Sequence, residues 1–327
     1  MSHIAEFLTG INNWYNSVSN IRIPKTANPV RFGVLSAALI NPTALFDPVR
    51  THPDAVIVPV AARELAKAQA QATKYGIPRA YGSYDELLAQ ADIDAVYIPL
   101  PNSLHCEWAI KAMGMGKHVL IEKPIASNAD EARQILACAK ETGRVALEAF
   151  HWQFHPAAHV VKSLVDSGRY GSVLFISTSL YLPVGTMPRD DIRFKYDLAG
   201  GACMDLAYVF SATRYYIGPA ECDTVTIELE KATITFTGFV APHFFHKITV
   251  RSKETGVAHT QKHYSFGPEW GPRSEPWWST YRYQLEAFVS KIRGEEPNHW
   301  IALEESVAVM ECIDLVYEKA GMKKRGL

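Results

Sequence analysis

The chain has no excess of charge of either sign: 33 Lys and Arg stand against 34 Asp and Glu in 327 residues. Without a basic field, nucleic-acid binding by bulk electrostatics is not expected. No run reaches about 18 uninterrupted apolar residues, so no membrane-spanning helix is expected either. Cysteine is scarce and scattered: Cys106, Cys138, Cys203, Cys222 and Cys312 form no C-x-x-C pair. That argues against a disulfide framework or a structural zinc site, and fits a reducing compartment. The first residues lack a basic region leading into an apolar run, because Glu6, Gly10, Asn12 and Asn13 interrupt it. The final Arg325-Gly326-Leu327 is a poor peroxisomal address. A cytoplasmic protein is the expectation.

What is present suits a globular protein of about two domains, at roughly 150 residues each. Residues 1–29 form an arm in which Ile4, Leu8, Ile11, Tyr15 and Val18 recur at helical spacing. It either packs on its own domain or makes a dimer contact. From Val30 onward, short apolar runs alternate with helical stretches. Strands are expected at 30–35, 55–62, 95–100, 118–121 and 145–149, and helices at 64–75, 84–90, 104–115 and 128–142. This rhythm predicts βαβ units and a doubly wound parallel sheet over 30–150. Asn128 is a candidate N-cap, with Glu131 completing a capping box.

After residue 150 the pattern changes. Strands with period-2 alternation are expected at 172–182, 224–229, 233–236 and 247–251, typical of an open, mostly antiparallel mixed sheet. Helices are expected at 155–166, 199–216, 280–293 and 302–319. The result is an α+β domain over 151–327. The stretch 221–237 holds room for two short strands only. An exposed sheet edge or altered strand pairing is the expected consequence.

A dinucleotide fold needs a tight turn after its first strand. Here the turn runs from Gly33 through Ser36, Ala37, Ala38, Leu39 and Ile40 to Asn41, and Ser36, Ala38 and Asn41 stand at the three glycine positions of G-x-G-x-x-G. As a motif alone it also fits an ordinary βα turn. Arg63 ends the second strand, 22 residues beyond Asn41, where the ribose-reading residue falls. An Arg there favours the 2′-phosphate of NADP over the bare hydroxyl of NAD, although Glu64 adjoins it.

His118-Val119-Leu120-Ile121-Glu122-Lys123-Pro124 is a strand ending in Glu-Lys-Pro, preceded by the Pro99-Leu100-Pro101-Asn102-Ser103-Leu104-His105 loop and followed by Asp197-Leu198-Ala199-Gly200-Gly201-Ala202-Cys203-Met204-Asp205. Together these resemble the glucose–fructose oxidoreductase and inositol dehydrogenase family (Gfo/Idh/MocA), in particular its dihydrodiol dehydrogenase and D-xylose dehydrogenase branches. The likeness spans about residues 31–320.

The resemblance implies a Rossmann domain joined to an open sheet that carries a homodimer contact. It also implies an NADP cofactor, with NAD as the alternative, and hydride transfer to or from a sugar or vicinal diol. Carried over residue by residue, the cofactor-binding candidates are Gly33, Ser36, Ala38, Leu39, Ile40, Arg63, Pro99, Asn102, His105, Glu122 and Lys123. The catalytic candidates are Lys123, Asp205 and Tyr208, and the Lys123–Pro124 peptide is expected to be cis.

The commoner spacing places the acid–base group one residue after Tyr208, where Val209 stands. Either the helix start is shifted or Tyr208 is only a wall, since a helix turns about 100° per residue. His151, Trp152, His155, Arg193 and Tyr208 are the candidate substrate contacts; for the histidines, a structural role competes, and a metal is not expected. The aromatic cluster Trp270, Trp277, Trp278, Tyr281 and Tyr283 reads as a sugar wall or as a subunit contact. A non-catalytic cofactor-binding sensor of the same fold is the alternative function.

Overall fold

A computed structural model describes residues 11, 14, 15, 17, 18, 20–180, 187–217, 225–266 and 274–326. The chain divides into two compact units. One comprises Arg22–Ala149, Met187–Ala207 and Leu285–Leu327; the other comprises Met1–Ile21, Phe150–Thr186 and Tyr208–Gln284.

The first unit is built on a parallel sheet. Its strands are β1 (Val30–Leu35), β2 (Ala55–Ala61), β3 (Arg79–Tyr81), β4 (Ala95–Ile98), β5 (His118–Ile121) and β6 (Ala146–Glu148). Their order is β3-β2-β1-β4-β5-β6, so the direction of winding reverses between β1 and β4. A strand covered on both faces must be apolar at every position. Accordingly all of β4 and Val119, Leu120 and Ile121 of β5 are buried, as are Phe32, Val34 and Leu35 of β1. The helices Leu65–Tyr75, Tyr84–Leu88, His105–Gly114 and Ala129–Thr142 connect the strands within a few residues of the expected bounds.

Asn128 caps the last of these: its side chain accepts from Glu131 N at 3.0 Å. The return bond from Glu131 reaches Ser127 N at 2.8 Å, one residue earlier than a standard capping box. β3 was not expected; three half-buried residues carry no readable periodicity. The helix Leu303–Lys319 returns to this unit, and its Asp314 carboxylate accepts from Ala129 N at 3.1 Å.

The second unit contains an antiparallel sheet of β7 (Val173–Ser177), β8 (Thr226–Leu229), β9 (Ala232–Thr237), β10 (Lys247–Ser252) and β11 (Ala258–Gln261), in the order β11-β10-β9-β8-β7. Pairing places Ile227 opposite Ile234, Ile248 opposite Phe236 and Val250 opposite Ile234, which collects the buried side chains on one face. β8 and β9 are the two short strands expected between 221 and 237. β11 went unread because Ala258-His259-Thr260-Gln261 has no apolar alternation. β7 is an edge, with Leu174 62% and Phe175 60% exposed. In the arm, Trp14 donates its indole N–H to Trp277 O at 2.8 Å, and Val18 is buried. Ile4, Leu8, Trp270 and Cys222 lie outside the described residues, as do the last two positions of the strand expected at 172–182.

Phe288 is fully buried, its ring centroid 6.0 Å from that of Phe32 on β1. Phe288→Ala should cost about 3–5 kcal/mol of stability by the usual scale for deleting a buried aromatic. Urea denaturation checks this.

Candidate functional site

In an open parallel sheet, ligands bind outside the carboxyl ends of the strands, beside the point where winding reverses. The Ser36–Asn41 turn follows β1 at that place. Ser36 has φ 138°, a backbone conformation that glycine adopts far more readily than a side-chain-bearing residue. Asn41 takes over part of the work of the missing glycines. Fully buried, its amide nitrogen donates to Ser36 O at 2.8 Å and to Gln71 Oε1 at 2.9 Å. Gln71 in turn donates to Ala38 O at 3.3 Å. Leu39 projects from the turn, 99% exposed, beside half-buried Ala38 and Ile40. Gly33 lies within β1, where an added Cβ would come 2.7 Å from Leu87 Cδ2. Its smallness therefore serves packing beneath the turn.

Arg63 is exposed just past the end of β2. The neighbouring Glu64 is tied to Lys67 at 2.6 Å, which leaves Arg63 as the uncompensated charge of the three.

The turn after β5 holds Lys123, and the Lys123–Pro124 peptide is cis, as expected. Lys123 Nζ donates to Asp205 O at 2.7 Å and to Asp205 Oδ1 at 3.3 Å. Arg193 Nε donates to the same Asp205 oxygen at 3.1 Å, and its Nη1 donates to Asp191 Oδ1 at 3.0 Å. Two cations thus converge on one carboxylate. Glu122 accepts from the Tyr97 hydroxyl at 2.6 Å and from Lys123 N at 3.3 Å. Burial pushes its carboxyl above the usual value, against the pull of Tyr97 and Lys123.

Several contacts brace this turn. His105 is fully buried, with Nδ1 2.9 Å from Pro124 O and Nε2 2.8 Å from Leu100 O. Burial lowers its pKa to about 4, and a neutral ring donates to only one of the two carbonyls at a time. It thereby bolts the loop after β4, including the buried Leu100 that follows Pro99, to the turn after β5. Asn102 donates to Ala199 O at 3.0 Å. Glu148, fully buried at the end of β6, accepts from Ile125 N at 2.9 Å, and burial pushes its pKa up to about 8.

The Gly200-Gly201 pair is required by close approach: a Cβ on Gly200 would lie 2.5 Å from Arg193 O, and one on Gly201 (φ 143°) 2.6 Å from Tyr317 Oη. Arg325 stacks between Tyr196 and Tyr317, 4.5 and 4.2 Å from their centroids, and donates to Gly200 O at 2.8 Å.

Sequence reading missed Glu148, Arg325 and the clamp role of Asn41. A carboxyl inside an apolar run was a signal for Glu148, whereas nothing local marks Arg325.

The helix expected over 199–216 is broken, and only its second piece belongs to the other unit. It is observed as Ala202–Asp205 and Tyr208–Ile217. The break at Leu206-Ala207 resets the helical phase, so the displacement of Tyr208 by one position loses its meaning as a rotation. Tyr208 lies 2.9 Å from His151 Nε2 and is 7% exposed. Trp152 and His155 are fully buried; Trp152 donates to Ser211 Oγ at 3.2 Å, and His155 caps the helix Pro156–Asp166. They pack this unit's core and do not line a surface. Among the described residues no cluster of three metal-ligating side chains occurs, and no helix is long and apolar enough to cross a membrane.

A sheet of this order, with a Gly-poor phosphate turn after β1 and an ammonium beyond β5, defines the dinucleotide-binding class of α/β folds. Residues 30–150 match Gfo/Idh/MocA, described as an oxidoreductase family with an NAD-binding Rossmann fold. A D-xylose 1-dehydrogenase (NADP(+)) from Haloferax volcanii is 33% identical over 323 residues, covering 88% of this chain and 97% of that protein. A trans-1,2-dihydrobenzene-1,2-diol dehydrogenase from Xenopus laevis is 36% identical over 153 residues, 47% of this chain and 46% of that protein. A crystal structure of a 3-ketoreductase from Actinomadura kijaniata in complex with NADP and TDP-benzene shares the fold, with a TM-score of 0.75 at 23% identity, covering 90% of this chain and 98% of that one. The chain belongs to the Gfo/Idh/MocA oxidoreductase family.

The raised pKa of Glu148 fixes the sign of one pH effect. Between its ordinary value of 4.5 and about 8, the native state holds a proton that the unfolded state has released. Glu148 therefore makes stability fall as pH rises through that window. Glu148→Gln should flatten this component. The buried histidines His105, His159 and His246, lowered to about 4, and His243, to about 3, contribute the opposite slope on the acid side. That slope is common to both proteins and cancels in the wild-type-minus-variant difference, measured by urea titration at several pH values.

Proposed function

We propose that this protein is an NADP(H)-dependent oxidoreductase that moves a hydride between the nicotinamide and a carbinol carbon, either C1 of an aldose or one carbon of a vicinal diol. The observation that carries the reading is the Lys123 ammonium beyond the carboxyl end of β5, held by Asp205, whose carboxylate Arg193 also binds. The names of the relatives, a xylose dehydrogenase and a dihydrodiol dehydrogenase, support a small polyhydroxylated substrate.

The residues present fit the nucleotide. The Ser36–Ile40 turn would receive the pyrophosphate, and Arg63, with Glu64 diverted to Lys67, would receive a 2′-phosphate through a charge-assisted fork. Pro99, Asn102, His105 and Glu122 shape the loops beside it. When bound, the nicotinamide supplies the acceptor or donor of the hydride.

The rest of the chemistry falls to the protein. Lys123 holds the substrate oxygen and exchanges its proton; Asp205 orients Lys123, and Arg193 fixes the Asp205 carboxylate. Tyr208, three residues beyond Asp205 in the chain, is the further acid–base candidate, with His151 behind it. Positioned acid–base groups of this kind contribute roughly 10²–10⁴-fold to rate. We further propose a cytoplasmic homodimer joined through the β7–β11 sheet, a reading supported by the exposed Leu174 and Phe175 on β7. The Lys123–Asp205 pair favours catalysis over a non-catalytic sensor role.

Lys123→Ala should lower turnover at least about 100-fold while sparing NADP binding. The measurement is reduced-cofactor absorbance across pentoses, hexoses and cyclic diols, with calorimetry for binding. NADPH binding by the wild type without turnover on any of these substrates would favour the sensor instead. Arg63→Ala should weaken NADP far more than NAD; an equal loss of both affinities by calorimetry removes the 2′-phosphate assignment.

A further inference from the structure

Tyr208 opens a chain of buried polar side chains within the antiparallel-sheet unit. Its hydroxyl lies 2.9 Å from His151 Nε2, and His151 Nδ1 lies 2.8 Å from Thr280 Oγ1. Thr280 meets His243 Nδ1 twice, through its backbone N–H and through Oγ1, each at 3.4 Å. His151, Thr280 and His243 are each 4% exposed or less.

The backbone donor fixes the direction of the first of these bonds. A backbone N–H can only donate, so His243 Nδ1 is an acceptor and carries no proton. Burial, reinforced by the neighbouring His246, lowers the His243 pKa to about 3, so its ring is neutral with the hydrogen on Nε2. A bare Nδ1 takes the Thr280 hydroxyl hydrogen. With its hydrogen turned to His243, the Thr280 oxygen presents lone pairs to His151 Nδ1 at 2.8 Å, which is then the protonated nitrogen. A neutral His151 protonated at Nδ1 has a bare Nε2, and the Tyr208 hydroxyl donates to it. Titratable groups facing this pair include Tyr281, whose ring centroid is 3.9 Å from that of His151, and His243 behind Thr280.

We propose that His151 is the proton acceptor for Tyr208, with Thr280 and His243 as positioning residues that hold His151 in the one tautomer able to accept. The inference rests on the dehydrogenase reading above and deepens it. In the oxidising direction, the substrate hydroxyl proton passes to the Tyr208 oxygen as the Tyr208 proton passes to His151 Nε2. The substrate O–H electron pair forms the carbonyl, and the hydride leaving carbon is taken by the oxidised pyridine nucleotide. His151 finishes as an imidazolium and returns its proton through the Tyr208 oxygen once the carbonyl product has left. The arrangement follows the logic by which a histidine activates a hydroxyl and a third group holds its ring, here with a phenol in place of a serine.

The first test needs no substrate. In the full-length protein labelled with ¹⁵N-histidine, His151 should show a protonated Nδ1 and a bare Nε2 at neutral pH. The Nε2 resonance should move in Tyr208→Phe. A protonated Nε2 in the wild type overturns the proposal. In the loaded enzyme, His151→Phe should lower kcat about 100-fold and remove one limb of its pH profile. Thr280→Ser should keep that limb and Thr280→Val should shift it. An unchanged profile in His151→Phe also overturns the proposal. If the wild type turns over no sugar or diol, the dehydrogenase reading fails instead, and the nitrogen resonances alone then decide the bond order.

Discussion

The Lys123 ammonium is held by a backbone carbonyl and a carboxylate of Asp205, a residue 82 positions further along the chain. Both side chains are mostly shielded from water, at 13% and 20% exposure. A pair in that setting gains little net stability, because desolvation offsets much of the attraction. Removing one partner, however, strands the other charge. The constraint therefore acts mainly on geometry, and the loops that present Lys123 and Asp205 are shaped to satisfy it. His105 pins Pro124, Glu148 pins Ile125, and Arg325 pins Gly200. Each bond ends on a main-chain group, because the segments beyond the strand ends have no sheet ladder to satisfy their backbone. The rigid parallel sheet then carries a precise but irregular surface at its carboxyl edge, as is usual for functional loops.

The phosphate turn shows how one local solution replaces another. The usual glycines allow unusual backbone angles and close approach. Here Ser36 adopts such an angle with a side chain in place, and Asn41 and Gln71 hold the turn through bonds to Ser36 O and Ala38 O. Side-chain hydrogen bonds thus supply some of the definition that small residues supply elsewhere. Gly33, outside the turn, is small for a different reason: the Leu87 side chain occupies the space beside it.

The antiparallel-sheet unit combines an aromatic core with neutral histidines. His155, His159, His243 and His246 all have pKa values pushed down by burial. An uncharged imidazole offers one donor and one acceptor, and these serve as connectors: His155 caps a helix, and His246 accepts the His263 N–H at 2.7 Å. The same property makes His151 a natural neighbour for the Tyr208 hydroxyl.

Hydrophobic patterning by itself determined the alternation of strand and helix in the first half and the change to period-2 strands after residue 150, and segment length set the two-strand limit near 221–237. The patterning could do so because burial on one or both faces of an element leaves a periodic mark in the residues of that element. The Glu122-Lys123-Pro124 motif and Arg63 were likewise legible, being local in the chain. Only the tertiary structure decided the break before Tyr208, the burial of Trp152 and His155, the convergence of Lys123 and Arg193 on Asp205, and the parts played by Glu148, Arg325 and Thr280. Those depend on contacts between residues tens to hundreds of positions apart, and a hydrogen bond of that kind imposes no periodicity on the sequence around either partner.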